Sequence, residues 1–350
     1  MKNAKATDRS SQFEKVKQIT DRLETGLQEL FKSDQYKSWL KTMGRFHNYS
    51  LNNTILIHLQ KPDASLVASY LSWQRNFGRT VNKGERAIRI LAPAPFKRRI
   101  ETEQLDPVTG NPILNPDGSS VKNSKEVVVQ SFKVVNVFDI SQTEGRDLPE
   151  LGVNELTGNV ENYSDFIEAL TRSCPIDIAF EEITNGAKGY FHTQENRIAI
   201  KADMSEIQTI KTMIHEMAHQ KMHSIDSNEP SPAGEKLSRS RKEVEAESVA
   251  FTVASRYGID TSDYSFGYIA GWSSGQEMKE LKESLNRIRD AADEMITAID
   301  EKLSEISKER SPETKSVLQD LREKQELLSA DNVIPESGNR TEKRVKEEVR

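Results

Sequence analysis

Phe13, Val16, Ile19, Leu23, Leu27 and Leu30 recur at intervals of three and four, which lines one side of a 3.6-residue helix. An amphipathic helix is therefore expected over 12–30. Shorter helices are expected over 36–43, 51–60 and 69–77. The pattern then changes period. RAIRILAP (86–93) alternates and ends at a proline, which reads as a strand, and EVVVQSFKVVNVFDI (126–140) reads as a strand pair. Between them, TEQLDPVTGNPILNPDGSSVKNSK is dense in Pro, Gly, Asn and Asp, so residues 101–125 are expected to form a surface loop or hairpin excursion.

SQTEGRDLPELGVNEL (141–156) interrupts the pattern and reads as a domain boundary. Beyond it a helix is expected over 163–172 and a strand over 176–182. Two short strands, GYFH and NRIAI, are expected to join across 193–196. A helix over 205–223, a polar loop and a second helix over 241–257, stopped by Gly258, follow. Leu281, Leu285, Ile288, Ala292, Met295, Ile299, Leu303 and Ile306 then keep three-and-four spacing. That 276–306 helix is long enough to cross a domain or to pair with a second chain. Pro312 interrupts it, a charged helix is expected over 313–329, and 331–350 reads as a disordered tail. The expected fold class is α+β: a domain of helices and small sheets over 8–145, a second domain over 156–275, and a helical extension over 276–330.

Charge divides the chain differently. Residues 1–100 hold 19 Lys and Arg against 8 Asp and Glu, an excess of 11, so the remaining 250 residues carry −17 to reach the overall −6. A basic first third attracts polyanions without specifying which. The single cysteine, Cys174, excludes an internal disulfide framework and a thiolate metal cluster. The opening MKNAKATDRSSQFEKVKQ lacks the apolar run of a secretory leader, and no apolar run approaches a membrane span. A cytoplasmic protein with no membrane attachment is expected.

Three of the six histidines stand four residues apart in IKTMIHEMAHQKMHS. Within HEMAH, His215 and His219 share a helix face and can reach one zinc ion, while Glu216 lies beside them as a base for water attacking a carbonyl. His223 lies eight residues from His215, about 12 Å along a helix axis, too far to join the same ion. It is expected to be a helix-end or surface residue. The third ligand is then sought in RKEVEAESVAF. Glu243 is expected to be the ligand and Glu247 to orient a ligand histidine from behind, with Glu245 as the alternative ligand. Tyr190, Tyr257 and Tyr264 are candidates to donate to a developing oxyanion.

In the basic third, Arg75, Arg79, Lys83, Arg86, Arg89, Lys97, Arg98 and Arg99 can neutralise phosphates. Tyr49 and Trp73 can stack on bases, and Asn52 and Asn53 can contact the strand. Cations interleaved with aromatics suit single-stranded nucleic acid better than a duplex groove. The competing reading is that the aromatics pack the core.

These residues also carry a family resemblance. YSLNNTILIHLQKPDA, SYLSWQRNFGRTVNKGERAIRILAP and VFDISQTEG resemble the N-terminal domain of ArdC-type antirestriction proteins. IHEMAH followed by EVEAESVAF resembles their zincin-like metallopeptidase half, related to ImmA/IrrE-type peptidases. The resemblance implies a single-stranded-DNA-binding domain over 8–145 and a gluzincin-like domain over 156–275, in a protein that shields a mobile element's DNA from restriction. It further implies one zinc ion per chain on His215, His219 and Glu243, with Glu216 as the catalytic acid and base. Two functions follow. One is a zinc-dependent peptidase, acting on an unknown protein or peptide, coupled to single-stranded DNA. The alternative is a non-proteolytic DNA-shielding factor whose metal site is structural or regulatory.

Overall fold

The computed structural model describes residues 2–31, 33–107, 109–116, 118–148, 160–224, 238–259 and 278–310. The expected 313–329 helix, the 331–350 tail, Tyr264 and residues 149–156 of the 141–156 boundary lie outside them.

The first half is a mixed α/β region with small sheets. Helices α1 (Lys2–Leu30), α2 (Ser33–Arg45) and α3 (Leu51–Gln60) come first. Strand β1 (Val67–Ser69), helix α4 (Tyr70–Phe77) and strands β2 (Arg79–Val81) and β3 (Ile88–Pro93) follow. Side chains set the helix starts. Ser50 accepts from the Asn53 amide at the head of α3, and Ser69 accepts from the Ser72 amide at the head of α4. Gly78, at φ 61°, takes the left-handed turn that ends α4.

Strands β4 (Phe96–Glu103) and β5 (Lys122–Val129) pair antiparallel as a two-stranded ribbon, and β6 (Phe132–Asp139) returns between β1 and β3. Bridges at Leu105–Pro112 and Leu114–Ser120 continue the ribbon, so the 101–125 excursion is its outer end. Nearly every ribbon side chain is exposed, and among the described residues no second layer covers it. Strand β7 (Thr143–Gly145) pairs with β2.

The second half opens with α5 (Val160–Ser173) and a three-stranded sheet of β8 (Ile178–Glu181), β9 (Gly189–His192) and β10 (Arg197–Lys201). Strand β10 is central, parallel to β8 and antiparallel to β9. Helices α6 (Glu206–His223), α7 (Arg239–Arg256) and α8 (Met278–Arg310) complete the described chain.

Although the pattern along the chain reads as two domains, one apolar cluster runs through both halves. Tyr36, Trp39, Leu40 and Met43 of α2 are fully buried in the same cluster as Val249, Ala250, Phe251 and Ala254 of α7. Burying such side chains stabilises by roughly 1.5–3 kcal/mol each before ordering costs. At Gly44 a Cβ would stand 2.8 Å from the Thr252 carbonyl oxygen, so glycine lets the backbones of α2 and α7 touch. Polar contacts follow the same seam: Tyr36 Oη lies 2.9 Å from Ser248 Oγ, and His47 Nδ1 lies 2.7 Å from Asp293.

The apolar stripe of α8, including Leu281, Leu285, Ile288, Met295 and Ile299, is buried against the chain's own helices. Pairing with a second chain through that stripe, the other expectation for 276–306, finds it already covered. Among the described residues no helix is long and apolar enough to cross a membrane.

Candidate metal centre

Helix α6 presents HEMAH on its third and fourth turns, and α7 brings its second turn alongside. His215 Nε2 and His219 Nε2 lie 3.1 Å apart, and Glu243 Oε2 lies 3.7 Å from the first and 3.5 Å from the second. Three corners of a tetrahedron around an ion with bonds near 2.1 Å are separated by about 3.4 Å. The donor triangle therefore fits a divalent ion. Glu243 is half-exposed, and both histidines are partly buried.

Charge is shared across the triangle. The adjacent imidazoles of His215 and His219 hold the Glu243 carboxyl far below the usual carboxylate range. Burial presses His215 toward neutrality, but Glu243, Glu216 and Glu247 outweigh it and raise its pKa. Glu247 thus acts on His215 through its charge. Glu216 is buried, and that burial raises its pKa against the opposing pull of His215 and of a hydrogen bond from the Phe191 backbone. Strand β9 passes close: a Cβ at Gly189 would meet Thr212 Cγ2 at 2.7 Å and Glu216 Cγ at 3.2 Å. Only a residue without a side chain lets the strand lie against the helix there.

His223 does close α6, but it is not at the surface. It is 6% exposed, with Nδ1 3.2 Å from His219 Nδ1 and Nε2 3.3 Å from Glu245 Oε2. Glu245, the alternative ligand, faces away from the triangle and is fully buried among His223, Ser284, Arg287 and Arg241. Its sequence neighbours gave no sign of this, because Ser284 and Arg287 arrive from α8, some forty positions later. Two of the tyrosines are committed elsewhere. Tyr190 donates to Glu181 at 2.5 Å, and Tyr257 donates to Asp300 at 2.8 Å.

The residues proposed to meet nucleic acid separate into two groups. Trp73 is fully buried and donates to the Phe138 carbonyl at 2.8 Å, so it offers no face to a base. The Asn53 amide forms a reciprocal pair with the Leu91 backbone at 2.9 Å in both directions, pinning α3 to β3. Arg79 is tied to Thr143 and to the Arg146 carbonyl, which fastens β2 to β7. Tyr49 is half-buried, edge-on to Phe46.

Asn52, Arg75, Lys83, Arg86, Arg89, Lys97, Arg98 and Arg99 are exposed. Arg89 also lines a groove of about 730 Å³ with Lys15, Gln18 and Arg22 of α1 and with Gln60 and Asn136. Lys15 and Arg22 were not singled out from the sequence. On an amphipathic helix they read as part of an ordinary polar face.

An H-E-x-x-H helix joined to a glutamate of the following helix, beside a small sheet, defines a metal-site class rather than a single protein. Residues 12–138 match the N-terminal domain of anti-restriction factor ArdC, and residues 172–264 match the IrrE N-terminal-like domain. The chain thus joins an ArdC-like domain to a following IrrE-like domain.

It is 31% identical over 324 residues to an uncharacterized protein of Bacillus anthracis, across 85% of this chain and 53% of that protein. It thus spans about half the length of that relative. Among solved structures it is similar to the metal-free antirestriction protein ArdC from the R388 plasmid. There the identity is 21%, the coverage 73% of this chain and 84% of that one, and the TM-score 0.40. For the Mn(II)-bound ArdC structure the identity is 15%, the coverage 80% and 97%, and the TM-score 0.45.

The expectation of zinc is corrected here. The related structure with an ion carries Mn(II), and two imidazoles with a carboxylate suit several first-row divalent ions. No thiolate is present at the triangle to favour zinc.

Proposed function

We propose that the chain is an antirestriction factor that binds single-stranded DNA through its ArdC-like region, with a metal site that is structural or regulatory. The observation that carries this reading is the set of seven exposed cations Arg75, Lys83, Arg86, Arg89, Lys97, Arg98 and Arg99. Among the described residues none of them is drawn into an ion pair, so their charge is free to meet phosphates. His215, His219 and Glu243 would hold a divalent ion, which supplies Lewis acidity and ties α6 to α7. The experiment is fluorescence anisotropy with a labelled oligonucleotide, single-stranded against duplex, before and after chelation. Preferential single-strand binding that survives chelation is expected. Absent binding, or equal affinity for duplex, would overturn the proposal.

A second reading, peptide hydrolysis, is favoured by Glu216. A buried carboxyl with a raised pKa beside a Lewis acid is suited to take a proton from water and return it to a leaving amine. Its test is cleavage of a quenched peptide library by metal-loaded protein, wild type against Glu216→Gln. Loss of cleavage with DNA binding retained supports hydrolysis, and cleavage that survives the substitution removes it.

A further inference from the structure

We infer that His223 and Glu245 form a positioning relay that fixes the tautomer of His219, so that its Nε2 lone pair faces His215 and Glu243. The inference rests on the reading of that triangle as a metal site. His219 turns Nε2 toward the triangle, 3.1 Å from His215 and 3.5 Å from Glu243. A neutral imidazole that donates a lone pair from Nε2 must carry its proton on Nδ1. That proton needs an acceptor, and His223 Nδ1 lies 3.2 Å away. For His223 Nδ1 to accept, its own proton must sit on Nε2. Nε2 in turn lies 3.3 Å from Glu245 Oε2, and an ionised carboxylate only accepts.

One proton arrangement satisfies all three contacts. Glu245 accepts from His223 Nε2–H, His223 Nδ1 accepts from His219 Nδ1–H, and His219 Nε2 is left bare toward the triangle. Reversing the direction would require a donor at Glu245 and would place a proton on the nitrogen that must hold the ion. Glu245 is kept in place as an acceptor by its surroundings. It is fully buried, yet Ser284 donates to Oε1, Arg287 Nη2 reaches the same oxygen at 2.5 Å, and Arg241 Nε lies 3.5 Å off. Two of these three groups belong to α8. The C-terminal helix therefore anchors, from behind, the orientation of a ligand on α6. Partners of this kind change metal affinity about 10- to 100-fold when removed from other metal sites.

The test separates the relay from bulk packing. His223→Asn keeps an acceptor near the original Nδ1, whereas His223→Leu keeps volume and loses it. Mn(II) affinity of the full chain, read by calorimetry at matched thermal stability, is expected to fall at least tenfold for His223→Leu and to recover most of that for His223→Asn. Equal affinity of the two variants would overturn the relay. A second readout needs no metal: nitrogen NMR of the metal-free wild type should show His219 protonated on Nδ1. In Glu245→Gln, whose amide can donate, that proton should move to Nε2. An Nε2-protonated His219 in the wild type would overturn the proposal even where Mn(II) binds. Failure of Mn(II) to bind the wild type at all would instead strike the metal reading, leaving the tautomer as a separate result.

Discussion

The ribbon formed by β4 and β5 holds Lys97, Arg98 and Arg99 clear of the core, so their charge can be removed with little effect on folding. For single strands, each phosphate neutralised contributes about −0.7 to the slope of log K against log salt. Contact by all seven exposed cations gives a slope near −5, and the triple variant K97A/R98A/R99A should lower its magnitude to about 3. The lost slope of about 2 corresponds to roughly a hundredfold weaker binding at 0.1 M salt, narrowing to about tenfold at 0.3 M. Anisotropy titrations across that range, with melting curves to verify the fold, measure both quantities. An unchanged slope in the triple variant would refute phosphate contact by the ribbon. Salt-independent binding by the wild type would refute electrostatic recognition altogether.

Other outcomes follow from the same geometry. Tyr36→Phe and Ser248→Ala should each cost about 1 kcal/mol in denaturant unfolding, with a coupling of about 0.5–1.5 kcal/mol in the double variant. Additive effects would deny the Tyr36–Ser248 contact across the seam. Trp73→Ala should cost about 3–5 kcal/mol of stability, while Trp73→Phe should leave DNA affinity unchanged, as expected of a core side chain. The metal-free protein should also show a pH signature. Glu243 titrates below its ordinary 4.5, so its contribution is present above that pH and lost on acidification; His215 titrates above 6.5, so its contribution is full below that pH and lost as pH rises. The pair therefore stabilises most between pH 4.5 and 6.5, and Glu243→Gln should flatten thermal stability across that window.

Local pattern was enough for most elements. The three-and-four spacing of Leu281 to Ile306 gave a helix, and the alternation in RAIRILAP gave β3, because both periods are set by backbone geometry. The proximity of His215 and His219 was legible for the same reason, being four positions on one helix. What lay hidden depends on distant chain segments. The burial of Trp73 follows from the return of β6 some sixty positions later, and the place of Glu245 follows from the crossing of α8. Helix periodicity identified the apolar stripe of α8 but not what covers it, and a shared core between the halves has no signature in either half alone. Arg79 shows the same limit. An exposed cation and a guanidinium spent on backbone carbonyls look alike in sequence.

The assignment of His215, His219 and Glu243 as one divalent-ion site is tested most directly by titrating Mn(II) into metal-stripped protein and counting bound ions by electron paramagnetic resonance. One ion per chain is expected for the wild type, and none over the same range for His215→Ala or Glu243→Ala. Undiminished occupancy in those two variants would contradict it.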